Sequence, residues 1–238
     1  MSIVLQKYIA QSGKYSRREA EELIRKGSVT VNGRKAELGM RVEEGDLVEV
    51  KKRKLDLAEE RIYIKLNKPV GFTSTSKDFK GEKNIFDLVR VKEKLIIAGR
   101  LDKNSRGLIL LTNDGELVQK ITHPSFEHEK EYIITITEPE IFDNELPRIL
   151  SSFKKGIDIG EDDGVVRVRD IKYLGANKFA IVLTQGKKRQ LRRMFYEMGY
   201  QVSDLLRVRI GNLKLNDLPE GRWQLLTKKE IADLKEID

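Results

Sequence analysis

Residues 98–112, AGRLDKNSRGLILLT, place a polar loop between two apolar segments. Short apolar runs bounded by turn residues are typical of buried strands, so we expect strands over residues 94–98 and 108–112. Strands on both sides would hold the loop in place and leave its side chains accessible, which is a common position for functional residues. Asp102 is the acidic residue of this loop, although a loop aspartate more often forms a turn or a cap.

Apolar segments on either side of the loop predict an α+β fold. Strands are predicted over residues 62–66, where residues 67–71 break the strand, and over residues 132–137, 165–168, 171–174 and 179–184. Helices are predicted from about Glu116 and over residues 190–197. Because strands outnumber helices and lack a regular βαβ alternation, we expect a mixed, mainly antiparallel sheet flanked by helices.

The beginning of the chain predicts a separate small α/β module. Leu5, Tyr8 and Ile9 share one helical face, and Ser16 with Glu19 forms a capping box for a second helix. The Asn32-Gly33 turn then joins short strands. We expect a module over residues 1–52, a charged linker over about 53–60 and a larger domain over 61–238. Continuation of the last strand into the charged segment is the alternative.

Composition limits the classes of function. The 238 residues include no Cys, which excludes disulfides, zinc–thiolate sites and a thiol nucleophile. No apolar run approaches the ~20 residues that span a bilayer, and no signal segment is apparent, so we expect no membrane association and a cytoplasmic location. The net charge of +8 favours a polyanionic partner.

Basic residues cluster in two regions. One lies between Gly186 and Arg209 and the other surrounds the second predicted helix. Such runs are often only solvated surface, but two clusters in a basic chain favour nucleic acid. The members are Lys187, Lys188, Arg189, Arg192, Arg193, Arg207 and Arg209 in the first cluster, and Lys14, Arg17, Arg18, Arg25 and Lys26 in the second.

Four segments resemble, in order, the motifs of RNA pseudouridine synthases. Arg100-Leu101-Asp102 with Ser105 and Gly107-Leu108 resembles the R-L-D-x-x-[ST]-x-G-L signature. The other three are Lys68-Pro69-x-Gly71, Lys130-Glu131-Tyr132 and Gly186-Lys187-Lys188-Arg189-Gln190-Leu191-Arg192-Arg193-Met194. The last resembles the G-x-x-x-Q-[LIV]-R-R-M motif of the RsuA-like ribosomal RNA branch, from which Lys187 departs. The first module resembles the RNA-binding domain named after ribosomal protein S four.

This resemblance implies an enzyme that converts a uridine of ribosomal RNA to pseudouridine without a cofactor or a metal. Asp102 would be the essential carboxylate, either adding to the sugar or removing a proton, and Arg192 would pair with it and keep it ionised. A phosphate contact is the alternative role of Arg192. Tyr132 would stack on the target base, although a tyrosine that opens a strand is more often a core residue.

The resemblance also assigns residues to substrate binding. Leu205 would form a wall of the base pocket, Arg100 would fill the space that the flipped uridine leaves, and Lys68 would shape the loop and touch phosphate. Arg189 and Arg193 would contact phosphate, and Lys14, Arg17 and Arg18 would hold neighbouring RNA. The residues as a whole fit a monomer that acts on ribosomal RNA or a ribosomal subunit precursor, with a leaning towards the large subunit. A non-catalytic RNA-binding or ribosome-assembly factor is the alternative.

Overall fold

The computed structural model describes residues 2–57, 60–77, 79–160 and 162–236. The chain divides into two units, which are described separately. We call them the N-terminal unit (Met1–Ile62, Val91–Ile96 and Thr112–Gly115) and the C-terminal unit (Tyr63–Arg90, Ile97–Leu111 and Glu116–Asp238).

The N-terminal unit begins with two helices and short strands around one apolar core. Its elements are β1 (Ile3–Val4), α1 (Leu5–Gln11), α2 (Arg17–Arg25), β2 (Val29–Val31), β3 (Arg34–Lys35), β4 (Arg41–Val42), β5 (Val48–Val50) and β6 (Arg53–Lys54). The predicted capping box is confirmed, since Ser16 Oγ accepts from the Glu19 N–H and the Glu19 carboxylate accepts from the Ser16 N–H. Leu5, Ile9 and Leu55 are buried in the same core.

The module continues beyond the residue at which its end was predicted. β6 pairs with β5, with Val50 opposite Arg53, and the strands form a sheet in the order β3-β2-β5-β6. Ordered structure therefore covers the start of the predicted 53–60 linker, because a buried Leu55 anchors the β5–β6 hairpin. Ala58 and Glu59, within the same predicted linker, lie outside the described residues.

The C-terminal unit is built on a mixed sheet with helices, as the sequence predicted. The elements that follow β6 are β7 (Tyr63–Lys68), α3 (Ile85–Leu88), β8 (Ile96–Ala98), β9 (Arg106–Thr112), α4 (Gly115–Thr122), β10 (Lys130–Glu138), α5 (Leu146–Lys155), β11 (Ile157–Asp158), β12 (Val165–Val166), β13 (Asp170–Gly175), β14 (Lys178–Leu183), α6 (Gln190–Glu197), β15 (Gln201–Ile210), β16 (Leu213–Lys214), β17 (Trp223–Leu225) and α7 (Lys228–Lys235). The main path of the sheet is β13-β14-β10-β15-β9-β7-β17, with β8 beside β9 and β16 beside β15.

Strand β15 joins the two halves of this sheet. It pairs antiparallel with β10 and parallel with β9, where Arg207 lies opposite Gly107. Gly107 has φ +108°, and a Cβ there would lie 2.3 Å from the Arg207 carbonyl oxygen, so only glycine allows this close approach. The parallel pairing of β9 with β15 therefore explains why position 107 is a glycine.

Several boundaries differ from the predictions. The strand predicted over residues 94–98 is only β8, and Ile96 in it is exposed rather than buried, because β8 lies beside β9 and off the main path of the sheet. The first strand of the unit runs through Lys68 instead of breaking at residue 67, since the Lys68 side chain is buried beneath the 99–105 loop. The strand predicted over residues 165–168 is the two-residue β12, which pairs only with β11.

Candidate functional site

The loop between β8 and β9, residues 99–105, is held through its backbone. Every carbonyl group in this loop accepts a hydrogen bond from a residue elsewhere in the C-terminal unit. The side-chain donors are Arg207 for Gly99 and Arg100, Ser74 for Leu101, Lys68 for Asp102, Lys103 and Ser105, and Arg192 for Asn104. The Asp102 side chain is exposed, so the loop presents its carboxylate from a fixed main chain.

Lys68 lies entirely beneath this loop. Its side chain has no exposed surface, and Nζ donates to the carbonyls of Ser105 at 2.6 Å, Asp102 at 3.1 Å and Pro69 at 3.0 Å. Burial lowers the pKa of Lys68 to about 8, and the nearby Asp102 charge opposes that shift. The structure places Lys68 beneath the loop, where it was predicted to shape the loop. The predicted phosphate contact is wrong, because Nζ does not reach the surface.

Arg207 is the second buried cation that contacts the loop. Its Nε donates to the Leu108 carbonyl at 2.8 Å and its Nη2 to the Gly99 carbonyl at 2.9 Å. The residue is only 1% exposed. The prediction that Arg207 belongs to a basic surface cluster is wrong, because its side chain is buried. Arg209 also leaves that cluster, since it pairs with Glu129 and Glu131.

Tyr132 and Leu205 lie on two neighbouring strands of the sheet, β10 and β15. Tyr132 on β10 is opposite Arg207 on β15, and Leu205 on β15 is opposite Ile134. Both Tyr132 and Leu205 are buried for more than nine-tenths of their surface. Through Arg207, the strand pair that carries these two residues is therefore connected to the loop that carries Asp102.

Arg192 on α6 lies near Asp102 without forming the predicted ion pair. Its Nη1 donates to the Val202 carbonyl at 2.8 Å and its Nη2 to the Asn104 carbonyl at 2.7 Å, and no ion pair joins it to Asp102 in the described part of the chain. Burial lowers the pKa of Arg192 and Arg189 acts in the same direction, while the Asp102 and Asp204 charges oppose both effects. Arg192 therefore holds the loop backbone at Asn104 instead of forming the predicted ion pair with Asp102.

The remaining basic residues of this region have different environments. Arg189 precedes α6 in a left-handed conformation and is exposed. Arg193 instead donates to the Ile159 and Gly160 carbonyls and pairs with Asp163 at 2.7 Å, which lowers the pKa of that carboxyl. Instead of the predicted phosphate contact, the Arg193 side chain connects α6 to the β11–β12 hairpin.

The other predicted RNA contacts are on the surface. Arg100 is exposed in the loop beside Asp102. In the N-terminal unit, Lys14, Arg17 and Arg18 are all exposed around the capped start of α2, where backbone N–H groups also favour phosphate. These four side chains are accessible to RNA.

Sequence reasoning missed two groups that organise the site. Ser74 accepts from and donates to the backbone of Leu101, and Arg106 makes a bidentate ion pair with Asp204, with Nη2 at 2.6 Å from Oδ2. The sequence did carry a signal for Arg207. Residues 205–210 follow the alternation of a β-strand, which predicts that the Arg207 side chain points to the same side as Leu205. No sequence signal pointed to Ser74.

The described ranges hold neither a metal-binding cluster nor a membrane-spanning helix. Residues 2–57, 60–77, 79–160 and 162–236 contain no group of three or more His, Asp and Glu side chains placed to hold a metal ion. No helix within the same ranges has both the length and the apolar character needed to cross a bilayer.

Comparison with known proteins identifies both parts of the chain. Residues 62–197 match the RNA pseudouridylate synthase family, and residues 5–48 match the S4 domain. The chain is 42% identical over 98% of its length to the dual-specificity RNA pseudouridine synthase RluF of Escherichia coli, of which it covers 78%. It is 36% identical over its whole length to the ribosomal large subunit pseudouridine synthase B of Vibrio cholerae, of which it covers 75%.

A solved structure agrees with this match. The chain is 29% identical to a protein described as a pseudouridylate synthase, with a TM-score of 0.70, and the alignment covers 98% of this chain and 99% of that one. The mixed-sheet fold is thereby confirmed, and the alternative of a non-catalytic RNA-binding factor is not supported. The chain belongs to the RNA pseudouridylate synthase family, with an S4 domain at its N-terminal end, and is an RNA pseudouridine synthase.

Proposed function

We propose that this enzyme isomerises a uridine of ribosomal RNA, with Asp102 as the essential carboxylate and without a cofactor. The large ribosomal subunit is the favoured source of the substrate, because one relative is named as a large-subunit enzyme. The observation that carries the proposal is the 99–105 loop, in which each carbonyl has a hydrogen-bond donor while the Asp102 carboxylate faces solvent.

The reaction explains why one carboxylate at a fixed position suffices. The bond between uracil N1 and the ribose breaks, the base turns, a bond from C5 to the ribose forms, and the C5 proton is lost while N1 gains one. Atoms and electrons balance within the nucleotide, so neither an oxidant nor a group donor is consumed. A carboxylate beside the anomeric carbon must be anionic, whether it adds to the sugar or removes a proton.

Two cations hold the backbone of the Asp102 loop. The hydrogen bonds of Lys68 and Arg192 go to backbone carbonyls, including those of Asp102 and Asn104. A cation whose donors bind only carbonyl groups retains a positive field. We therefore propose that these two cations together supply the positive field at the Asp102 carboxylate, in place of a direct salt bridge.

Tyr132 and the surface cations complete the proposal. Tyr132 is assigned to stacking on the target base and Leu205 to the wall of the same pocket, since both lie on the strands that Arg207 connects to the loop. Arg100 is assigned to the space vacated by the flipped uridine, because a planar guanidinium stacks well on bases. Arg189 is assigned to a phosphate contact at the exposed start of α6, and the enzyme is proposed to act as a cytoplasmic monomer.

The test is the Asp102→Asn variant on large-subunit ribosomal RNA transcribed in vitro. The amide keeps the shape and removes the charge, so RNA affinity should stay within about twofold while the single-turnover rate falls by about 100-fold or more. Pseudouridine formation and RNA binding are measured on the same preparations.

The matched control is Asp217→Asn, which makes the same chemical change at an exposed position outside the 99–105 loop. Its rate should equal that of the wild type. An Asp102→Asn enzyme that keeps a tenth of the wild-type rate would contradict the assignment of the essential carboxylate.

A further inference from the structure

Arg207 is a fully buried arginine whose hydrogen bonds all go to backbone carbonyls. The partners are Leu108 at 2.8 Å, Gly99 at 2.9 Å and Arg100 at 3.4 Å, and no carboxylate pairs with the guanidinium within the described ranges. Burying an arginine is costly unless its donors are satisfied. A leucine would fill a core position at lower cost, so the charge and the planar group need another explanation.

The three carbonyls belong to the two ends of one functional segment. Gly99 and Arg100 open the 99–105 loop, and Leu108 lies in β9 just after it. The guanidinium thus spans the base of the loop, with its side chain coming from β15, a strand almost a hundred residues further along the chain. Gly99, at φ +84°, would place a Cβ 3.8 Å from Nη1, so the backbone passes directly over the guanidinium.

The same residue lies in the middle of the strand pair that carries the other site residues. Arg207 is opposite Tyr132 in β10, and Leu205 precedes it by two residues, hence on the same side of β15. Its main chain lies against Gly107, where a Cβ would be 2.7 Å from the Arg207 nitrogen. Arg207 therefore connects the loop to Tyr132. Its side chain binds the loop backbone, and its main chain lies between β9 and β10 in the sheet.

We propose that Arg207 is a positioning residue, which holds the Asp102 loop at the correct distance from the base pocket formed by Tyr132 and Leu205. It acts through the loop backbone, without touching the substrate. This inference rests on the proposed function of Asp102 and Tyr132. Because errors of about 1 Å in the placement of a reacting group cost about 100-fold in rate, the tie affects the chemical step more than RNA binding.

Arginine is needed for geometric reasons. Its planar fork presents donors in fixed directions to three carbonyls, whereas a lysine ammonium is a shorter point charge that cannot reach both sides of the loop base at once. Arg207→Lys keeps the charge and removes this geometry. Arg209→Lys makes the same change two positions along β15, at a side chain that pairs with Glu129 and Glu131 and does not contact the loop.

The experiment measures single-turnover pseudouridine formation as the enzyme concentration is raised to saturation. An unfolded fraction raises the apparent Kd for RNA and leaves the saturating rate constant unchanged, so the two parameters separate positioning from stability. For Arg207→Lys we expect the saturating rate constant to fall by about 10-fold to 100-fold, with Kd within about twofold of the wild type. Arg209→Lys should change neither parameter by more than about twofold.

Three results would overturn the inference. One is a saturating rate constant for Arg207→Lys within about twofold of the wild type, and another is an equal loss in Arg209→Lys. The third is an Arg207→Lys chain that does not fold, since Arg207 would then be required by the fold itself. Failure of the proposed function is distinguishable, because in that case the wild-type enzyme would form no pseudouridine in ribosomal RNA.

Discussion

At the scale of single residues, Lys68 shows how a charge inside the protein responds to pH. Its pKa is lowered from 10.5 to about 8 by burial, so between these values the unfolded chain binds more protons at this position than the folded chain. Stability from this residue therefore rises with pH across that window, by at most about 1.4 kcal/mol per pH unit and about 3 kcal/mol in total.

The measurement compares the free energy of unfolding of wild type and Lys68→Met from about pH 7.5 to about pH 10.5 by urea denaturation. The difference between the two proteins should increase steadily in favour of the wild type as the pH rises. Lys214→Met, which removes a lysine from an exposed position, is the control for the loss of one positive charge. A flat difference for Lys68→Met would mean that this lysine has an ordinary pKa in the folded protein.

Gly107 gives a second prediction at this scale. In Gly107→Ala the methyl group would lie 2.3 Å from the Arg207 carbonyl oxygen, at φ +108°. We expect a loss of about 3 kcal/mol or more in stability, from strain and displacement of β15 together. Gly199→Ala also has a positive φ but open space around the Cβ, and should cost only about 1 kcal/mol.

At this scale the sequence could predict residues that lie in local motifs, but not residues whose roles depend on distant partners. Asp102 and Tyr132 lie in motifs with a local pattern, so their segments could be recognised directly. The roles of Arg192 and Arg193 depend on which carbonyls face them after folding, and a basic residue in a basic run carries no local sign of being buried. Arg207 differs, because the strand alternation of residues 205–210 places its side chain on the same side as Leu205. Charge alone therefore predicted cations on the surface, whereas in the structure these side chains donate hydrogen bonds that connect one element to another.

At the scale of elements, the capped start of α2 connects local sequence to the stability of the N-terminal unit. Ser16→Ala removes the hydroxyl that accepts from the Glu19 N–H, and should lower the free energy of unfolding by about 1 kcal/mol. Ser28→Ala, a partly buried serine of the same module outside the cap, should change it by less than about 0.5 kcal/mol. Equal losses in both variants would show that the cap contributes nothing specific.

The elements that sequence reasoning recovered are those with local signals. The α2 capping box, the helix over Gln190–Glu197 and the strand predicted over residues 132–137, which is part of β10, follow from caps and periodicity. α5 and α7 were missed, although Thr227 and Glu230 form a capping box in the same way as Ser16 and Glu19. β15 was missed because its alternating pattern contains three charged residues, each of which has a partner far along the chain.

At the scale of the whole molecule, the basic side chains of the N-terminal unit should control the salt dependence of RNA binding. We expect the variant with Lys14, Arg17 and Arg18 all changed to Gln to show a smaller slope of log Kd against log salt. The slope should decrease by about 0.7 to 0.9 for each phosphate group that the variant no longer binds. The saturating rate of pseudouridine formation should remain that of the wild type.

The matched control changes three other exposed cations of the same unit, Arg34, Lys35 and Lys54, to Gln. It removes the same charge from the two edge strands of the sheet, β3 and β6, and should leave the slope nearly unchanged. If both triple variants reduce the slope equally, the contribution is that of net charge alone, and the start of α2 has no special place in RNA recognition.

The parallel pairing of β9 with β15 has a consequence in time. The ties from Arg207 to the 99–105 loop join residues about a hundred positions apart, and contacts of such long sequence separation form slowly because the intervening chain must first be ordered. The S4 domain, built from neighbouring segments, needs no such wait. During synthesis the S4 domain can therefore fold before β15 has been synthesised and before the catalytic loop is held in place. Each molecule is then able to bind RNA before it is able to catalyse the reaction.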